Sequence, residues 1–286
     1  MNTKKLQNNK KAIVIGSAVC CLLFILLGLY YRSWPAVDVI LFMGQSNMSG
    51  AGGDASLAPE LIPGAGYEFR AVTDPDHLHA LEEPFGKNEN RGALDDTEIL
   101  ERNGSLATAF VNAYYEETET PVVAVSASVG SSSLSGWLNK GRKEEAADRL
   151  KEAKKCLWKE RIRIRHVYML WFQGETDASL QTTGNEYKTM MRELVSYMEK
   201  QGVEACFVIQ IGADLAEPEK YQEIMQAQEE ICGEYGDMIL VSELPASLTG
   251  DDMKDEGGIH FTQKALNLIG EDAGEQAGAY VKSLSQ

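Results

Sequence analysis

The chain has 286 residues, 44% of them hydrophobic and 24% charged, enough apolar material to bury the core of one large or two small domains and too much for a disordered chain. Its 27 lysines and arginines face 43 aspartates and glutamates, a net charge of −16; the first 31 residues hold four lysines and no acid, so the remainder carries 23 bases against 43 acids, −20. A body that acidic excludes general nucleic-acid binding, which rests on neutralising phosphates with Lys and Arg.

In chain order, Lys4, Lys5, Lys10 and Lys11 precede a run from Ala12 to Tyr31 in which only Gly16, Ser17 and Gly28 fall outside the apolar set. As a helix rising about 1.5 Å per residue, this run covers a hydrocarbon core of roughly 30 Å. It predicts a transmembrane signal-anchor over residues 12–31. Because only Arg32 follows it closely, residues 1–11 are expected in the cytoplasm and residues 32–286 outside as one domain. The rival is a cleaved secretory signal, which would leave the body secreted; Tyr31-Arg32-Ser33-Trp34-Pro35 fits its small-x-small cleavage site poorly. Cys20 and Cys21 lie in this span. Cys156, Cys206 and Cys232 in the body lack C-x-x-C spacing, which excludes a zinc ribbon or redox pair and leaves one disulfide open.

Short apolar runs predict buried strands at Val37–Met43, Val122–Ser126, His166–Phe172, Ala205–Ile211 and Met238–Ser242. Helical rhythm follows in the gaps: Leu106 to Tyr114, Ala146 to Leu157, Tyr187 to Met198, Tyr221 to Ile231 and Ala265 to Ile269. Continuous apolar strands alternating with amphipathic helices mean a parallel sheet covered on both faces, a three-layer α/β/α sandwich with about five parallel strands. Residues 50–103 break the alternation with Gly, Pro, Asp and Glu. A long insert starting at the carboxyl end of the first strand is expected to wall the binding site.

The first strand ends in Phe42-Met43-Gly44-Gln45-Ser46-Asn47-Met48, which places a serine at a strand tip before a turn. A serine hydroxyl needs a neighbouring base to act as a nucleophile. Of the four histidines, His77 and His79 sit in the insert and His166 opens a strand. His260, in Gly257-Gly258-Ile259-His260-Phe261, follows the last strand, and in a parallel sheet that loop shares a rim with Ser46.

Gly44-Gln45-Ser46-Asn47-Met48, Gly130 with its small-residue run to Trp137, Trp171-Phe172-Gln173-Gly174-Glu175 and Gly-Ile-His-Phe resemble the blocks of the SGNH/GDSL hydrolases. Within these they are most similar to the sialate O-acetylesterase-like, carbohydrate esterase family 6 branch, and the likeness runs over residues 37–283. The resemblance implies a flavodoxin-like fold and removal of O-acetyl groups from an acetylated polysaccharide or sialic acid through an acetyl-serine, with no metal or other cofactor. By motif position Ser46 is the nucleophile and His260 the base, while Gly130 and Gln173 contribute to the oxyanion hole together with the Ser46 backbone amide. The chain departs from the pattern at one place: the acid expected three residues before the histidine is replaced by Gly257, and Glu256 and Asp255 lie at −4 and −5. Either carboxylate is a candidate to orient the imidazole, Glu256 ahead of Asp255, and a Ser-His dyad helped by a backbone carbonyl is the alternative.

Glu175 and Asp177 are expected to organise their loop rather than transfer protons. Trp137 has two readings, a stacking platform for a sugar ring or a buried packing residue. His77-x-His79 is too sparse to imply a metal site, and phosphate-loop and dinucleotide fingerprints are absent. The alternatives in function are a catalytically silent carbohydrate-binding or scaffold protein of the same fold, and an O-acetyltransferase.

Overall fold

A computed structural model describes residues 21, 24–26, 28–95, 102–214, 216–254 and 258–284. Most of the expected anchor, and both Asp255 and Glu256, lie outside them. Among the described residues no helix is long and apolar enough to cross a membrane.

The five expected strands form β1 (Ala36–Gly44), β4 (Val122–Ser128), β5 (Arg163–Phe172), β6 (Ala205–Ile209) and β7 (Met238–Ser242). They pair in parallel in the order β4-β1-β5-β6-β7. Numbered among themselves, this is 2-1-3-4-5, the flavodoxin-like winding, whose switch point lies between β1 and β5. β1 is buried from Val37 onward, as a strand covered on both faces must be.

Two further strands extend the sheet to seven, and both come from the insert. β2 (Gly66–Phe69) pairs parallel to β4, and β3 (Leu78–Ala80) closes the edge antiparallel to β2. The insert is therefore not structureless. Buried carboxylates take up its backbone donors: Glu89 accepts from the Val72 and Thr73 amides, and Glu68 from the Gly86 amide at 2.9 Å.

Helices α2 (Ala107–Thr118) and α8 (Gln263–Ser283) pair on one face, while α3 (Leu134–Asn139), α4 (Arg142–Lys159), α6 (Gly184–Glu199) and α7 (Gln222–Glu234) cover the other. α8 runs well past Gly270, where helix propensity alone would favour an end. Gly270, Gly274 and Gly278 face α2 so closely that a Cβ at each would strike its backbone or Glu117. Tertiary packing outweighs propensity there. The described cysteines are free thiols, so no disulfide joins Cys156, Cys206 or Cys232.

Candidate active site

Gly44, the last residue of β1, holds φ +142, and a Cβ there would overlap the Phe172 carbonyl oxygen at the end of β5. Only glycine lets the two strand ends close this tightly. The chain then turns through Gln45 into the short helix α1 (Ser46–Ser49), making Ser46 its first residue, with a backbone N–H that no intrahelical carbonyl can accept. Ser46 is 2% exposed.

The next residue fastens the rest of the site. Asn47 donates from Nδ2 to the Ile259 carbonyl at 3.0 Å and accepts at Oδ1 from the Phe261 amide at 3.2 Å. It thereby clamps both residues that flank His260. The half-buried imidazole sits in a narrow antiparallel bridge, Met253 to Phe261, where the Lys254 amide donates to the His260 carbonyl at 2.7 Å. α8 begins directly afterwards, capped by Thr262. Ser46 and His260, 214 positions apart in sequence, are thus brought to one rim by the side chain between them. The other three histidines are engaged elsewhere: His77 and His79 with Asp74, His166 with Glu204. Among the described residues no three metal-ligating side chains gather.

Glu175 opens α5 (Glu175–Ser179) at the carboxyl end of β5. Its Oε1 accepts from Asn47 Nδ2 at 2.6 Å, and its Oε2 is buried without a hydrogen-bond partner. Burial pushes the Glu175 carboxyl above the usual glutamate range; the backbone amide of Glu175 itself, the Asn47 bond and His260 oppose the rise. Asp177, also raised by burial, accepts from the Leu134 amide at 2.9 Å, from Gln173 Nε2 at 2.6 Å and from the Thr182 hydroxyl. Both acids therefore organise loops, as the sequence suggested, but Glu175 does so in electrostatic contact with His260.

Gly130 follows Val129, whose amide donates to the Gly44 carbonyl at 2.9 Å, so it lies at the rim beside the turn into Ser46. Two expectations need correction. Gln173 is fully buried and both of its amide hydrogens are taken, by the Ser132 carbonyl at 2.8 Å and by Asp177. An amide with two donors has none left for an oxyanion; Gln173 instead pins the Gly130 loop. Trp137 is 0% exposed, edge-on to Trp171 at 5.4 Å, with Nε1 donating to Ser132 Oγ at 2.9 Å. It is core and not a sugar platform. Among the described residues the two ends of the insert are tied together beside the site, where Asn103 Nδ2 donates to the Ala51 carbonyl and the Asn103 carbonyl accepts from the Ala55 amide.

Asn47 is the residue to which sequence reasoning gave no role. Its one legible sign was a polar side chain placed directly after Ser46 at the turn that ends β1.

The parallel 2-1-3-4-5 sheet, with Ser46 buried at its switch point and His260 in the loop before the last helix, is an α/β fold of the SGNH-hydrolase kind. The family model described as carbohydrate esterase, sialic acid-specific acetylesterase, matches residues 36–278. The chain belongs to that family and is a carboxylic ester hydrolase acting on carbohydrate acetyl esters. Among solved structures it is similar to a protein from Arabidopsis thaliana at 20% identity and TM-score 0.61, covering 86% of this chain and 99% of that one. It is also similar to the psychrotrophic esterase EstA of Pseudoalteromonas sp. at 13% identity and TM-score 0.47 (86% and 99% covered). A carbohydrate acetylesterase from Xanthomonas citri aligns at 14% and 0.49 (87% and 57% covered). No curated protein sequence matches the chain.

Proposed function

We propose that the protein is a serine O-acetylesterase for an acetylated glycan, with Ser46 as nucleophile and His260 as its base. His260 takes the Oγ proton as Oγ bonds to the acetyl carbonyl carbon. The resulting oxyanion is met by the backbone N–H groups of Ser46 and Gly130, donors worth about 3 to 4 kcal/mol each when preorganised. Collapse breaks the ester bond; the sugar oxygen leaves with the proton from His260, and acetyl-Ser46 remains. Water, deprotonated by His260, then attacks the acetyl-serine, and acetate departs as the Ser46 hydroxyl is restored. The observation that carries this reading is the Asn47 clamp, which holds the backbone on both sides of His260 from the residue next to Ser46. Glu175 supports the imidazolium through its charge, and Asp255 or Glu256 is the candidate acid for orienting the ring.

Residues 12–31 tether the domain to a membrane with residues 1–11 in the cytoplasm, a reading supported by their apolar length and lysine flank. Acetate release from a panel of acetylated xylan, mannan and sialosides tests the reaction. Ser46→Ala should lower kcat by about 10⁴ or more, and acetyl-Ser46 should accumulate on rapid quench of the wild type. Equal rates in the two proteins would refute the mechanism, and acetylated acceptor sugar in place of acetate would make the protein a transferase. Asp255→Ala and Glu256→Ala, compared side by side, identify the orienting acid as the one whose loss slows turnover.

A further inference from the structure

At the end of the sheet opposite Ser46 lies a groove of about 580 Å³ between the C-terminal ends of α4 and α6, lined by Leu150, Lys151, Lys154, Lys155, Trp158 and Lys200 among others. Trp158 is a large apolar side chain left 64% exposed. It belongs to an aromatic cluster with Trp34, ring centroids 5.2 Å apart, and Tyr31 at 6.2 Å, which is where the apolar N-terminal segment enters the body. Along that segment Phe24, Ile25, Leu26 and Leu29 are all exposed by more than half. Lys155 and Lys159 pair with Glu152 and Asp76, and Lys154 donates to the Gln201 carbonyl. Lys151 and Lys200 form no ion pair with any described residue.

We infer that this lysine and tryptophan face is a docking surface for an anionic lipid bilayer, seated beside the tether and setting the orientation of the enzyme. This rests on the tether proposed above for the entry point, and on the groove itself for the choice of lipid. Tryptophan and tyrosine settle at the headgroup level, where an apolar ring and a polar edge are both accommodated, and lysines next to them are drawn to anionic headgroups. On a body of net charge −20, other faces are repelled from such a surface, so a local cluster of lysines selects one orientation. Ser46 follows the carboxyl end of β1 while the groove lies at its amino end. Eight residue steps of about 3.3 Å then carry the catalytic rim roughly 26 Å further from the bilayer than the docking face, toward a polymeric glycan and away from lipid.

The test uses the full chain with vesicles of zwitterionic lipid and of zwitterionic lipid mixed with phosphatidylglycerol, each with and without brominated acyl chains. Bromolipid quenching of tryptophan should increase on the anionic vesicles, and Trp158→Phe should remove most of that increase. Replacing Lys151, Lys155 and Lys200 together by Gln should lower the anionic preference on the order of a hundredfold while leaving esterase turnover unchanged. Quenching that is equal on both lipids, or insensitive to the lysine replacements, would overturn the docking surface. So would lipid-free dimerisation that the same replacements abolish, because it would assign the face to a second copy of the chain. Flotation with the zwitterionic vesicles reads the tether alone; its failure refutes the tether, and the lysine-dependent increase is then read on anionic vesicles by the same quenching.

Discussion

Asn47 and Glu175 meet at 2.6 Å in a place that water does not reach, the two side chains being 1% and 4% exposed. The same Asn47 amide holds the backbone around His260, so it couples the Glu175 carboxylate and the His260 loop to the turn that carries Ser46. Asn47→Ala should lower kcat by about 100-fold with little change in KM, because a base displaced by about 1 Å misses the reacting proton while the substrate still binds. It should also cost about 1 to 3 kcal/mol of stability, since the carboxylate loses its buried donor. Steady-state kinetics and thermal melts check both. An unchanged kcat would show that the histidine loop holds itself in place.

Glu175 ties stability to pH in a direction opposite to that of a surface salt bridge. Burial raises its pKa in the folded protein, so the stability it contributes is fully present below the ordinary glutamate pKa of about 4.3 and is lost as pH rises through the raised native value. Glu175→Gln keeps an acceptor for Asn47 and removes the buried charge. The variant should melt higher than the wild type at pH 7 to 8, with the difference shrinking toward pH 4, and its kcat should fall because the imidazolium has lost a nearby negative charge. Melting curves that stay parallel across this range would show that the carboxyl is not desolvated.

The parts of this architecture legible in the sequence were those in which many residues repeat one physical pattern. Five continuous apolar runs wrote the parallel sheet, and the shared rim of its strand ends placed the Ser46 turn and the His260 loop on one side. β2 and β3 were not legible. Gly66–Phe69 and Leu78–Ala80 are four and three residues long, too short for an alternation to stand out, and their ladder partners come from pairing at the edge of β4 and of one another. The role of Gln173 was misread, and the two readings of Trp137 stayed open, for a different reason: residue type says what a side chain can donate or stack on, while the direction it faces is decided by neighbours distant in sequence. Asn47 escaped notice because a polar residue in the first turn of a helix has ordinary local uses, and its actual partners lie 128 and 212 residues away.

Gly52 offers a way to move His260 without altering its imidazole. A Cβ at this position would lie 3.0 Å from the His260 Cβ and would overlap the Phe261 carbonyl oxygen. That carbonyl is backbone and cannot swing aside, so Gly52→Ala should push the histidine loop away from Ser46. Turnover should drop by about tenfold or more while the fold survives, since the loop is at the surface and only half-buried at His260. Gly44→Ala should behave differently, because its clash lies between β1 and β5 inside the sheet, and loss of folded protein is expected. Circular dichroism alongside kinetics separates the two. Wild-type turnover in folded Gly52→Ala would mean that the loop tolerates the displacement.

Trp137 distinguishes a packing role from a recognition role by the kinetic constant it moves. Its indole N–H holds Ser132 Oγ, and the Ser132 carbonyl in turn receives Gln173, so the ring supports the loop that presents Gly130. Trp137→Phe keeps most of the buried area and drops the hydrogen bond, a loss of about 1 to 3 kcal/mol where a buried polar group is left unpaired. The melting temperature should fall, and kcat should fall by a similar factor on a small acetyl ester and on an acetylated oligosaccharide, because the oxyanion donor is loosened for both. A sugar platform predicts something else: KM for the oligosaccharide alone would rise, and the small ester would be hydrolysed as before. That second pattern would reinstate Trp137 as a substrate contact and require a conformation in which its ring is uncovered.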